Sequence, residues 1–168
     1  MYSEEQYKKI KSFITSKKIR LYALKFVYKI LPIFVFIAYP TLLTYLVINR
    51  DDRLLECITV PLGVFITVTL IRKFINCKRP YEKLDIEPIM HKSTKGKSFP
   101  SRHTASAAVI AMTVFYVNVP LGIVFLAVAL LIGLSRIIAG VHFPRDVAAG
   151  YLYSVVMSIL FLFIMRNA

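Results

Sequence analysis

Acidic residues and cysteines are both scarce in this chain. Nine Asp and Glu stand against 22 Lys and Arg over 168 residues, a formal net charge of +13. The two cysteines, Cys57 and Cys77, flank one apolar segment. At 1.5 Å per helical residue they lie about 30 Å apart, whereas a disulfide needs α-carbons within about 7 Å. An intrachain bridge is excluded, and the pair says nothing about redox compartment. The Cys/His spacings of zinc sites and a His-Glu-x-x-His helix are missing, so no dedicated metal site and no cofactor is expected. Strand-like alternation is missing too, which argues against a membrane barrel. Internal repeats, low-complexity tracts and a cleavable signal peptide are not seen: the first 29 residues carry eight Lys or Arg and no apolar run ending in a cleavage site.

What is present is apolar. Hydrophobic residues make up 57% of the chain, charged residues only 18%, and the mean hydropathy is +0.64. Ordinary soluble domains are about half apolar and a quarter charged. Disorder is excluded by this apolar content, and a nucleic-acid module is disfavoured because basic nucleic-acid binders are rarely so greasy. The charges are segregated. None occurs over Ile30–Asn49, Cys57–Ile71, Thr104–Leu134 or Val147–Met165. A membrane helix needs about 20 mostly apolar residues, so these runs read as spans.

The pattern predicts an all-α integral membrane bundle, a single domain over residues 1–168 with about five spans. Residues 1–22 form a surface helix or a basic tail: Tyr7, Ile10, Phe13 and Ile14 recur at helical spacing among lysines. Span one is expected from about Leu24 to Ile48, with Pro32 and Pro40 as kinks. A polar turn follows at Asn49–Arg53, then span two from about Leu54 to Ile71. The charge-free run after Thr104 is too long for one untilted span, and Asn118-Val119-Pro120 interrupts it. It reads as a hairpin of spans at about 101–118 and 120–138. The last span starts after Pro144 and ends near Met165. Gly150, Ser154 and Ser158, like Ala107 and Ala111, recur every four residues, a spacing that lets membrane helices approach closely.

Three polar clusters border these spans. The first is Arg72-Lys73 followed by Lys78-Arg79-Pro80. The second is Phe99-Pro100-Ser101-Arg102-His103. The third is Ser135-Arg136, then His142, then Asp146. Isolated cations at helix ends commonly anchor in lipid headgroups, but that role does not account for two histidines and an aspartate at the same borders. Asp146 follows His142 closely enough to accept a hydrogen bond from one ring nitrogen, leaving the other as an oriented nucleophile. Ser101 opens a helix, where free N–H groups favour an anion. Arg79 and Arg136 are fork donors suited to phosphate oxygens. His103 is placed to protonate a leaving group. A nucleophile, its orienting acid, a general acid and a cationic cradle together specify phosphoryl transfer, in which the cradle stabilises the phosphoryl oxygens.

The same three clusters resemble the tripartite signature of the type 2 phosphatidic acid phosphatase superfamily, which includes lipid phosphate phosphatases and vanadium haloperoxidases. Ser135, Arg136, His142 and Asp146 match its third motif in full. Pro100, Ser101 and His103 match its second, with Arg102 in place of a glycine. Arg79 and Pro80 match its first, with Arg72 at the lysine position. The resemblance covers residues 72–146 and implies a small bacterial-type membrane member of the family. It implies that His142 attacks phosphorus to form a phosphohistidine, that His103 protonates the departing oxygen, and that Asp146 orients His142. Arg72, Arg79, Ser101, Arg102 and Arg136 would then hold the phosphate. Arg102 either grips a second phosphate or headgroup, or is a tolerated solvent-facing side chain.

The expected reaction is metal-independent hydrolysis of a membrane lipid phosphate: phosphatidic acid, phosphatidylglycerophosphate, or a polyprenyl phosphate or diphosphate such as undecaprenyl diphosphate. A phosphoryl transferase of the same superfamily and a non-enzymatic binder of anionic headgroups are the alternatives. The substrate and the bilayer are the expected partners, without nucleic acid. Residues 76–98 form a loop long enough to act as a lid, with Lys92, Lys95 and Lys97 to draw in anionic lipid and His91 solvated. The three motifs must meet at one membrane face, and that face carries the whole +13 excess, while the opposite face sums to zero. The positive-inside rule would put the basic face in the cytoplasm, whereas the family more often works on the outer face of the cell membrane.

Overall fold

A computed structural model describes residues 3–164. The end of the last expected span at Met165, and Arg166 of the charge count, lie outside the described residues. Those described form helices without a strand. They are α1 (Glu4–Thr15), α2 (Lys18–Ile48), α3 (Leu54–Ile75), a single turn α4 (Pro80–Lys83), α5 (Arg102–Val117), α6 (Val119–Ile138) and α7 (Pro144–Ser158). The last continues through a π-helical turn, Ile159–Ile164. Four of them, α2, α3, α6 and α7, are long and apolar enough to cross a membrane.

The fifth long helix, α5, has 16 residues and is buried continuously from Thr104 to Val114. It is the axis on which the others pack, and its neighbours, rather than lipid, cover it. That is why its sequence can be small and polar (Thr104, Ala105, Ser106, Ala107, Ala108) where the outer helices are Leu-, Ile- and Phe-rich. The outer helices turn apolar side chains such as Phe34, Ile37, Leu62 and Leu152 outward, as a bundle in hydrocarbon must.

The expected hairpin is present, broken at Asn118. Asn118 leaves the helical conformation, its side chain accepts the Leu121 N–H at 3.0 Å, and Pro120 occupies the first turn of α6. Gly122 makes the tight return possible: a Cβ there would fall 2.1 Å from the Phe115 Cα. The small residues of α7 do the packing expected of them. A Cβ on Gly150 would come within 2.7 Å of the Ser101 carbonyl, and the Ser154 hydroxyl donates to the Ala105 carbonyl at 2.9 Å. At the far end of the bundle, Asp51 binds Arg53 at 2.6 Å, and Arg53 in turn donates to the Tyr116 carbonyl at 3.3 Å.

Three boundaries differ from expectation. Membrane helix α2 begins at Lys18 rather than Leu24 and contains both Pro32 and Pro40. Loop 76–98 contains the turn α4. The N-terminal segment is a helix rather than a free tail, and it is shorter than residues 1–22. It is a 12-residue helix opened by a Ser3–Gln6 capping box, and Tyr7 anchors it to the bundle. That side chain is 1% exposed. Its hydroxyl donates to the Ala139 carbonyl at 3.3 Å and accepts the Ile89 N–H at 3.0 Å. Lys11 adds an ion pair to Glu87 at 2.8 Å.

Candidate active site

The antiparallel order of the helices brings the C-terminal end of α3, the N-terminal ends of α5 and α7, and the C-terminal end of α6 to one face. Loop 76–98 closes over them. Between them lies a cavity of about 450 Å³ whose lining includes Arg72, Lys73, Arg79, Lys92, Arg102, His103 and His142. Lys95, Lys97 and Gly96 complete its loop wall.

His142 stands in the short connection between α6 and α7 and is 1% exposed. Its Nδ1 lies 3.5 Å from Asp146 Oδ2, and its Nε2 lies 3.4 Å from a terminal guanidinium nitrogen of Arg79. A guanidinium has only donors. Nε2 is therefore the ring's acceptor, and the proton belongs on Nδ1, facing the carboxylate. Asp146 is fixed in turn. Its Oδ2 accepts the Ser98 hydroxyl at 2.5 Å and the Phe143 N–H at 3.1 Å, the latter being the cap of α7. Its own carbonyl accepts the Ser101 N–H at 2.8 Å, which joins the second cluster to the third. Burial holds the His142 imidazole well below the ordinary histidine value, at about 4, and the Arg79 and Arg72 charges push the same way against Asp146. The ring is neutral at pH 7.

The first cluster supplies the cations. Arg79 is 3% exposed and is held by three contacts besides His142. Its Nη1 donates to the Val141 carbonyl at 3.1 Å, its Nε donates to the Gly96 carbonyl at 3.1 Å, and its N–H is accepted by Glu82 at 2.8 Å. Arg72, at the position where the family pattern has lysine, donates to the Ser98 and Pro100 carbonyls while facing the cavity. The adjacent Lys73 also lines the cavity. Lys92 is brought in by the loop. Burial, together with Arg79, Arg136, Arg72 and Arg102, holds its ammonium down to about 8.

Two expected phosphate ligands stand behind this wall. Ser101 is fully buried, and its hydroxyl accepts from Thr104 at 2.9 Å. Arg136 stacks over the Tyr28 ring at 3.8 Å and donates to the Tyr28 carbonyl at 3.0 Å, while its buried Nε has no partner among the described residues. His91 is exposed. Among the described residues no three His, Cys, Asp or Glu side chains lie together as a metal ion would require.

Sequence reasoning missed Ser98, which is 0% exposed and ties Asp146 and the loop together; no local pattern marks it. It also missed Glu82, which accepts both the Arg79 and the Gly96 N–H at 2.8 Å. Its signal was available, because a Glu three residues after the residue preceding a Pro-led turn has capping-box spacing.

Comparison with known proteins agrees with this architecture. Residues 53–168, well over half the chain, match the PAP2 superfamily. The chain is 46% identical over 66 residues to the bacitracin transport permease protein BcrC of Bacillus licheniformis, and 36% identical over 64 residues to the undecaprenyl-diphosphatase BcrC of Bacillus subtilis. Those stretches are 39% and 38% of this chain but only 32% and 33% of the relatives, so it spans about a third of the length of the curated proteins it matches. Among solved structures, Aquifex aeolicus LpxE superposes with a TM-score of 0.74 at 26% identity, over 95% of this chain and 94% of that one. A transmembrane PAP2-type phosphatidylglycerolphosphate phosphatase from Bacillus subtilis shares the fold, with a TM-score of 0.69 at 22% identity, over 98% and 86% of the two chains.

Proposed function

Since the chain belongs to the PAP2 superfamily, we propose that it hydrolyses a membrane lipid phosphate through a phosphohistidine formed on His142. The observation that carries this reading is the placement of His142. Its imidazole is buried with Nδ1 toward Asp146 and Nε2 toward Arg79, and it lines a cavity walled by cations.

In the first step the Nε2 lone pair attacks phosphorus. The N–P bond forms as the bond from phosphorus to the departing oxygen breaks, and that oxygen takes a proton from His103, whose imidazolium is disfavoured in the free protein by burial and the surrounding cations and is restored by the negative charge of the bound phosphate. Asp146 stabilises the positive charge that grows on the His142 ring. Arg72 and Arg79, fixed by backbone carbonyls, receive the equatorial oxygens, a preorganised arrangement worth far more than mobile cations in water. Arg136 and Ser101 support the cradle from behind. In the second step His103, now neutral, takes a proton from water. The water oxygen attacks phosphorus, the N–P bond breaks, and inorganic phosphate leaves with His142 regenerated.

The substrate class follows from the surroundings. The cavity sits at the end of helices whose outer faces are apolar, so a phosphate on an acyl or prenyl tail reaches it without leaving the membrane. A polyprenyl diphosphate, phosphatidylglycerophosphate and phosphatidic acid all meet that requirement. The test is phosphate release from such lipids in detergent micelles, with a chelator present. Wild-type chain is expected to release phosphate, and His142→Ala to lose ~10³-fold or more of the rate, as removal of a nucleophile does in other covalent mechanisms. Release that required an added metal ion would refute the mechanism.

A further inference from the structure

Next to the basic cavity, sharing Arg102 and His103 as a common wall, lies a neck of about 310 Å³ lined by Phe36, Phe65, Arg102, His103 and Ser106. Beyond the neck an apolar groove of about 330 Å³ runs between α2, α3 and α5, its walls including Phe36, Tyr39, Leu43, Ile58 and Phe65. The three spaces adjoin one another in a row, each sharing wall residues with the next. Arg102 and His103 are shared by cavity and neck, and Phe36, Phe65 and Ser106 by neck and groove. The polarity of the row changes at Arg102. Its guanidinium carbon lies 5.7 Å from the Phe65 ring centroid, and no carboxylate pairs with it among the described residues.

A lipid bound with its reacting phosphate at His142 must run toward the neck and leave its tail in the groove. In a lipid monophosphate the atoms passing Arg102 are the ester oxygen and the first carbons, which need no cation. In a lipid diphosphate they are the bridging oxygen and the phosphate nearer the tail. We infer that Arg102 is the ligand of this tail-side phosphate and makes the chain a hydrolase selective for lipid diphosphates. This rests on the reading of His142 given above.

The chemistry assigns different work to the two neck residues. When His142 attacks the terminal phosphorus of a diphosphate, the bond to the bridging oxygen breaks and a lipid monophosphate departs, carrying the electron pair. Phosphate is a good leaving group, and its charge calls for a fixed cation, which Arg102 supplies. When the substrate is a monophosphate, an alcohol departs and needs the His103 proton as the bond breaks. The two substitutions should therefore change the substrate preference in opposite directions.

The experiment compares a prenyl diphosphate and a prenyl monophosphate of the same tail in mixed micelles, reading kcat/KM for each. Arg102→Gly is expected to lower the value for the diphosphate at least about tenfold more than that for the monophosphate, the scale of one charge-assisted hydrogen bond. Arg102→Lys should restore part of the preference, and His103→Gln should penalise the monophosphate more. A ratio unchanged in Arg102→Gly, or parallel losses on both substrates, would overturn the assignment. Binding separates it from the hydrolase reading: a prenyl methylenediphosphonate should bind the His142→Ala chain about tenfold more tightly than the His142→Ala, Arg102→Gly chain. Equal binding would overturn the subsite even where hydrolysis is confirmed. A difference in binding would uphold it even if the wild-type chain released no phosphate.

Discussion

At the scale of single residues, the proposed chemistry depends on keeping one imidazole neutral inside a ring of cations. Burial disfavours the imidazolium, and the arginines that would receive phosphate disfavour it further. The cost appears as a pH dependence of stability. The folded chain binds the His142 proton only near pH 4, whereas an exposed histidine binds it near 6.5. Between those values the unfolded chain carries more protons than the folded one. Stability contributed by this group is therefore complete above about pH 6.5 and declines as pH falls toward 4. Thermal unfolding in detergent across that window should show the decline, and His142→Asn should remove part of its slope. An identical slope in both chains would contradict the depressed value. The same residue scale shows what a sequence can and cannot reveal. His142, Asp146, Arg79 and His103 were legible because their side chains have few other reasons to sit at membrane helix ends. Ser98 was not, because a serine in a polar loop has many, and only the folded path of residues 76–98 brings it onto Asp146.

At the scale of elements, the site is as rigid as the seam between α5 and α7, because one helix carries Ser101 to His103 and the other Asp146. Gly150 is where that seam is tightest. A methyl group there would press within 2.7 Å of the Ser101 carbonyl, while a methyl on Gly63 of α3 meets nothing within 4 Å. Gly150→Ala should lower stability by roughly 1–3 kcal/mol, the usual cost of overpacking, and reduce phosphate release with it. Gly63→Ala should stay within about 0.5 kcal/mol of wild type. Equal melting temperatures for the two variants would show that the seam yields more easily than the geometry implies. The hairpin and the small-residue stripe could be read directly, since Asn118-Val119-Pro120 and the four-residue spacing are local signals. The docking of α1 could not. Its lysines pointed to a surface helix, but nothing local indicated that Tyr7 would be clasped by Ala139 and Ile89, residues 132 and 82 positions away.

At the scale of the whole molecule, the +13 charge and the high hydropathy are two aspects of one design. Apolar helices cross or line the bilayer, and the basic excess collects where α3, α5, α6 and α7 end together. Part of that excess is the cavity wall itself. The rest lies mainly in α1, the N-terminal part of α2 and the loop, on the approach an anionic headgroup would take. The membrane class, the helix order and the convergence of three distant clusters were all legible from charge segregation and spacing. The neck and groove were not, because they arise from side chains on three helices meeting in space. The claim on which the rest depends is that phosphorus becomes bonded to His142. Rapid quench of wild-type chain with a lipid carrying a radiolabelled terminal phosphate tests it directly. The account expects transient label that is stable in alkali, lost in acid and recovered on the peptide containing His142, with none on His142→Ala. Label on another residue, or full turnover by His142→Ala, would contradict it.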